Sequence, residues 1–362
     1  RRDSWEEGHR GRLCALALTR ISGDWLTRAT SHLCGVKRKE SHVTVQHPVA
    51  VEREPAGWSV ARLPTFALVP LAAFVWWIVG FLPWVLDGFG SARFRQTSGL
   101  QAHWLAIPLF NGDIGGLGLG AGTGGLLVGL VALLGRDGPG RSAIAAATGG
   151  VLGMIVILVL TRVQIGNGNI GRGFSADARV VNGLTLVVVL MTVIGTFVGL
   201  LGLTGSQGRG LALAGLAGAV GVWTVGVLHA AGWTDPGGYG HTADVGHWAG
   251  AGVLVLALVT LGARPISRLI GWPVAVLLAW FVAPTVTASS YIEALLRPGY
   301  GLPDRVSDTI SAAAHVWRLA SSPSVRSLTP WITAVVVAAV IVVGREVAAG
   351  RARDSAATDA SH

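Results

Sequence analysis

Eight apolar runs organise the chain. They cover roughly residues 66–86, 114–134, 142–161, 184–204, 211–231, 246–262, 269–290 and 328–344, and none contains Asp, Glu, Lys or Arg. A bilayer core offers no partner for backbone N–H and C=O groups, so a crossing segment must be a helix of about 20 mostly apolar residues. The sixth and eighth runs, of about 17 residues, sit at the lower edge of that range. The pattern predicts an all-α integral membrane protein, a polytopic bundle of about eight transmembrane helices. A further helix is predicted over 303–320, started by Pro303-Asp304. Val306, Ile310, Ala313 and Trp317 fall on one face, and Asp308, Ser311, His315 and Arg318 on the other. That spacing is helical and amphipathic. It is expected to be extracytoplasmic, lying on the membrane surface or as a lid over the bundle.

Arginine placement sets the expected orientation. Arg136, Arg141, Arg209, Arg264 and Arg268 lie in short connections, and Arg345, Arg351 and Arg353 follow the last run. Short loops rich in Arg face the cytoplasm, so both termini are expected there, in a bacterial plasma membrane. Trp84, Trp104, Trp233, Trp272 and Trp331 lie near run ends, as in an aromatic belt. Glycines stud the second run, from Gly116 to Gly125, and recur at Gly215, Gly218 and Gly221. Small residues let helix backbones approach closely. Pro70, Pro83, Pro273 and Pro284 are expected to kink their helices.

Composition supports the membrane reading and divides the chain. Hydrophobic residues make up 51% and charged residues 13%, with a mean hydropathy of +0.57. A soluble domain carries about 25% charged residues. The net charge of +9 lies between apolar runs rather than on one basic face, which excludes a nucleic-acid partner. Residues 1–42 hold both cysteines, Cys14 and Cys34, and the only lysines, Lys37 and Lys39. Lys39-Glu40 can be encoded as a ribosome-binding sequence six nucleotides before Val43. Residues 1–42 are therefore expected to be a translated leader, with a disordered basic tail as the alternative. Intact mass of the native protein decides this: a mass including Cys14 and Cys34 excludes the leader. The rest divides into a cytoplasmic segment 43–65, a membrane domain 66–344 and a disordered cytoplasmic tail 345–362.

The connection between the fifth and sixth runs carries the most suggestive chemistry. His229, Asp235, His241, Asp244 and His247 are imidazole and carboxylate groups that can hold a borderline metal. His229 and His247 lie near the same ends of two antiparallel neighbours. A shared Zn or Cu ion, or a haem pair, is the sharp reading; a polar loop with locally bonded histidines is the bland one. The spacing matches no diagnostic motif. Gly166-Asn-Gly168-Asn-Ile-Gly171 fits the G-x-G-x-x-G string, but it follows a membrane run and lacks the βαβ context of a dinucleotide site. An anion-binding turn using Arg162, Arg172 and Arg179 is the alternative to a solvated linker. Glu293 reads as a surface ion pair, and Trp104–Phe110 as a segment that dips into the interface. Uncharged spans weaken proton-coupled transport, and no phosphate-binding G-x-x-x-x-G-K loop occurs. Three classes remain: a transport-related or channel-like component or accessory subunit, a cell-envelope scaffold or assembly protein, and a membrane enzyme using the His/Asp loop. The lipid bilayer is the expected partner, together with a membrane or envelope protein.

Overall fold

The computed structural model describes residues 62–90, 107–109, 114–166, 178–233, 240–296 and 306–359. The chain divides into Arg1–Gly57 and Trp58–His362. The first unit, and with it the expected leader 1–42, lies outside the described residues, as do Asp235 and Arg172.

Among the described residues, ten α-helices carry the second unit. They are α1 Thr65–Phe74, α2 Leu82–Gly90, α3 Ile114–Val131, α4 Pro139–Gly166 and α5 Ala178–Leu200, then α6 Ser206–Ala230, α7 Gly240–Leu261, α8 Gly271–Leu296, α9 Val306–Ala320 and α10 Thr329–Asp359. Among the described residues there is no strand, only an isolated bridge between Leu63 and Gly135. Seven helices, α3 to α8 and α10, are long and apolar enough to cross a membrane. The first apolar run is helical but broken between α1 and α2. The protein is an all-α polytopic membrane bundle of about eight crossings.

The break has a chemical cause. Val75–Val79 forms a π turn in which the Gly80 N–H reaches back to the Val75 carbonyl at 3.3 Å. Pro83 has no N–H, so the Val79 carbonyl loses its helical donor four residues on. Trp223 on α6 replaces it: its indole Nε1 donates to the Val79 carbonyl at 2.8 Å. The carbonyl that Pro83 leaves without a helical donor is thus tied to another helix.

The crossings form two cores. One joins Leu68, Trp76, Leu117, Val128, Met154 and Val188, from α1, the π turn and α3 to α5. The other joins Ala217, Leu254, Leu258, Ala279, Trp280 and Trp331, from α6 to α8 and α10. Glycines allow the closest crossings, as expected. A Cβ at Gly125 would lie 3.0 Å from the Thr196 backbone nitrogen, and one at Gly218 would lie 2.7 Å from the Ala279 carbonyl. Outward faces are apolar: Ile155 and Val159 on α4, Phe197 on α5, Val336 and Val340 on α10. That surface suits lipid rather than water.

One end of the bundle gathers the short arginine-bearing connections. The Leu63 N–H donates to the Leu134 carbonyl at 2.7 Å, and the Arg136 N–H to the Leu63 carbonyl at 3.1 Å. The Thr65 N–H, first in α1, donates to Asp137 Oδ2 at 3.1 Å. Arg264 pairs with Glu346 of α10 at 2.9 Å. The start of the first crossing and the far end of the last therefore sit beside same-side connections. The segment from 345 onward, expected as a disordered tail, is helical through Asp359; its Ala- and Arg-rich sequence favours helix.

The amphipathic helix is present as α9 but placed otherwise than expected. Ile310, expected on the packed face, is 62% exposed. The covered stripe is Thr309, Ala313, Val316 and Trp317. Trp317 stacks on Phe281 at 4.9 Å between centroids and donates to Thr285 Oγ1 at 3.2 Å. Trp280 Nε1 donates to the Ser321 carbonyl at 3.2 Å. Those partners lie near the middle of α8, so α9 runs down along α8 instead of lying flat. Helix α10 then starts at that depth: Trp331 packs on Trp280 at 5.8 Å. This accounts for the shortness of the eighth apolar run.

Candidate functional site

A cavity of about 410 Å³ opens at the seam between the two cores. One wall is Gly80, Phe81, Pro83 and Trp84 at the break, with Leu119 and Gly120 of α3. The other is Val222, Trp223, Gly226 and His229 of α6, with Val286 of α8. The lining is apolar apart from the Trp and His ring nitrogens. Gly120 is needed there, because a Cβ would lie 2.9 Å from the Phe81 ring. Pro108 also reaches the cavity. Its neighbours Ile107 and Leu109 are fully buried, and the Ile107 N–H donates to Thr161 Oγ1 at 3.1 Å. These residues pack within the bundle rather than dipping into the interface.

The five candidate metal ligands have different surroundings. His229 sits in the last turn of α6 and faces the cavity. That helix ends in a Schellman turn: the Gly232 N–H donates to the His229 carbonyl and the Trp233 N–H to the Leu228 carbonyl, at 2.9 and 3.0 Å. His241 and Asp244 lie exposed on the first turns of α7. His247 is half-buried, with Nδ1 buried and unpartnered, and feels the charges of Arg326 and Asp244. Among the described residues no three His, Cys, Asp or Glu side chains form a group able to hold a metal ion; Asp235 is not among them.

Other polar residues within the bundle have structural partners. Arg162 Nη2 donates to Asn182 Oδ1 at 2.8 Å and to Thr185 Oγ1 at 3.1 Å, tying α4 to α5. Thr192 accepts from Trp76 Nε1 at 3.1 Å, and the Thr260, Thr285 and Thr287 hydroxyls donate to carbonyls four residues back. Glu293, expected at the surface, is buried.

A second cluster escaped sequence reading. Arg326, in the turn before α10, is 7% exposed and sits against the rings of both Trp280 and Trp331, 4.7 and 4.8 Å from their centroids. Its Nη1 donates to the Trp280 carbonyl at 2.5 Å. Pro284, four residues on, leaves that carbonyl without a helical donor. Half of the signal was legible: a proline inside an apolar run frees the carbonyl four residues earlier, but the spacing does not name its donor.

Fold and cavity together define a polytopic α-helical membrane protein with an apolar pocket at the seam of two cores. The chain matches no family model, no curated protein and no solved structure.

Proposed function

We propose that this protein is a transport-related or channel-like membrane component, without an ATPase of its own, that takes an apolar or amphipathic molecule into the seam cavity. The observation carrying this reading is the cavity's position against a broken crossing helix. Membrane transporters commonly place substrate sites at discontinuous helices between halves of the bundle. The volume falls within the roughly 300–1,000 Å³ of small-molecule pockets. Uncharged walls favour a neutral or lipidic guest, since an ion would lose its hydration with nothing to replace it. The setting is a bacterial plasma membrane, with the arginine-bearing end in the cytoplasm; the positive-inside rule supports that orientation.

The test fills the pocket with Val222→Trp in the full chain. Proteoliposomes are assayed for uptake of radiolabelled glycerol and for transbilayer movement of fluorescent phosphatidylcholine. Wild type is expected to accelerate one of them, and Val222→Trp to return it to the protein-free rate while staying monodisperse. Acceleration of neither would overturn the transport reading in favour of the envelope scaffold.

A further inference from the structure

We infer that Arg326 and Trp331 form a binding site for a phosphate-type oxyanion, separate from the seam cavity. Arg326 stays protonated at any physiological pH. It is buried, yet among the described residues no carboxylate forms an ion pair with it. A buried cation without a counter-charge is strongly disfavoured. One carbonyl and two ring faces offset only part of that cost. Its Nε has no hydrogen-bond partner, and neither does Nε1 of Trp331, whose ring it contacts; both atoms are buried. Trp331 is itself 3% exposed.

The surrounding field has the same sign. Arg326 stands three residues before α10, whose N-terminal end carries a positive dipole and whose first turn has no acidic residue. Thr329 N–H is already taken by Ser327 Oγ at 3.3 Å and Pro330 has none, so the dipole rather than free N–H groups contributes. An arginine at that end of a helix is unfavourable unless an anion joins it. Phosphate oxygens suit guanidinium edges and indole N–H donors together. Depth points to an amphiphile as one carrier. Fifteen helical steps separate Trp331 from Glu346, about 22 Å, which places the cluster inside the bilayer thickness. Val325, Leu328 and Ile332 beside it are exposed and apolar, 69%, 41% and 58%. A lipid phosphate would sit on Arg326 with its chains along α10; free phosphate would use the same donors.

The full chain, delipidated in dodecylmaltoside, is titrated with phosphatidylglycerol and followed by native mass spectrometry, with and without inorganic phosphate. Wild type is expected to retain one phosphatidylglycerol. Arg326→Gln should weaken retention roughly tenfold or more, as for a hydrogen bond to a charged group. Trp331→Phe, which keeps an aromatic face and removes the N–H, should weaken it several-fold. Competition by inorganic phosphate assigns the site to the free ion; failure to compete assigns it to the lipid headgroup. Should Arg326→Gln not fold, Trp331→Phe and wild type carry the test. No retention by wild type of either probe, or equal retention by folded variants, overturns the site and leaves Arg326 as a cap for the Trp280 carbonyl alone.

Discussion

At the scale of residues, the recurring theme is the orphaned carbonyl. Pro83 and Pro284 each free a main-chain oxygen four positions earlier, and in lipid such an oxygen has no water to turn to. Trp223 answers one and Arg326 the other. The prolines were visible in the sequence; their partners, 140 and 42 positions away, were not, because spacing reports only near neighbours. Asp137 makes a comparable long-range contact outside the membrane. Hydrogen bonds from the Thr65 hydroxyl and N–H hold its carboxyl below the ordinary value of 3.8. A depressed carboxylate adds stability that is complete above the unfolded value and is lost as pH falls through the folded one. Asp137→Asn should therefore lower the thermal midpoint at pH 7, and the gap to wild type should narrow as pH falls below the ordinary carboxylate value. Scanning fluorimetry in detergent measures both; a gap unchanged by acid would mean the ionised cap is not the cause.

At the scale of elements, apolar runs located the seven long crossing helices among the described residues, because hydrocarbon demands length and the absence of charge. They did not show that the first crossing breaks or that α9 descends beside α8. Both depend on side chains meeting across helices. The break makes a definite prediction. Trp223→Phe leaves the Val79 carbonyl unpaired and should cost about 1 kcal/mol of stability. Adding Pro83→Ala restores an N–H in the same helix and should recover most of it. Reversible unfolding of the single and double variants in mixed micelles checks this; additive losses would show that the two residues act independently.

At the scale of the whole molecule, two cores meet along a seam, and a cavity lies there beside the break. The downward course of α9 and the turn 321–328 is the least expected global feature, and it can be read directly. In a chain with Cys14 and Cys34 replaced by serine, single cysteines are placed at 206, 307 and 324. A membrane-impermeant maleimide should reach Ser206→Cys from one face and Ser307→Cys from the other, and Ser324→Cys only slowly from either. Labelling of 324 as fast as 307 would place α9 flat on the surface.

The sequence by itself determined the class of protein, the place of each crossing and the close packing of glycine-bearing helices. Each follows from a local rule: uncharged length against lipid, or a missing side chain where backbones meet. Only the tertiary structure decided where α9 goes, which donors satisfy the carbonyls of Val79 and Trp280, that His229 faces a cavity, and that Arg326 is buried against two indoles. These depend on which helix faces lie together. Periodicity cannot supply that in a membrane, where lipid-facing and buried positions are equally apolar.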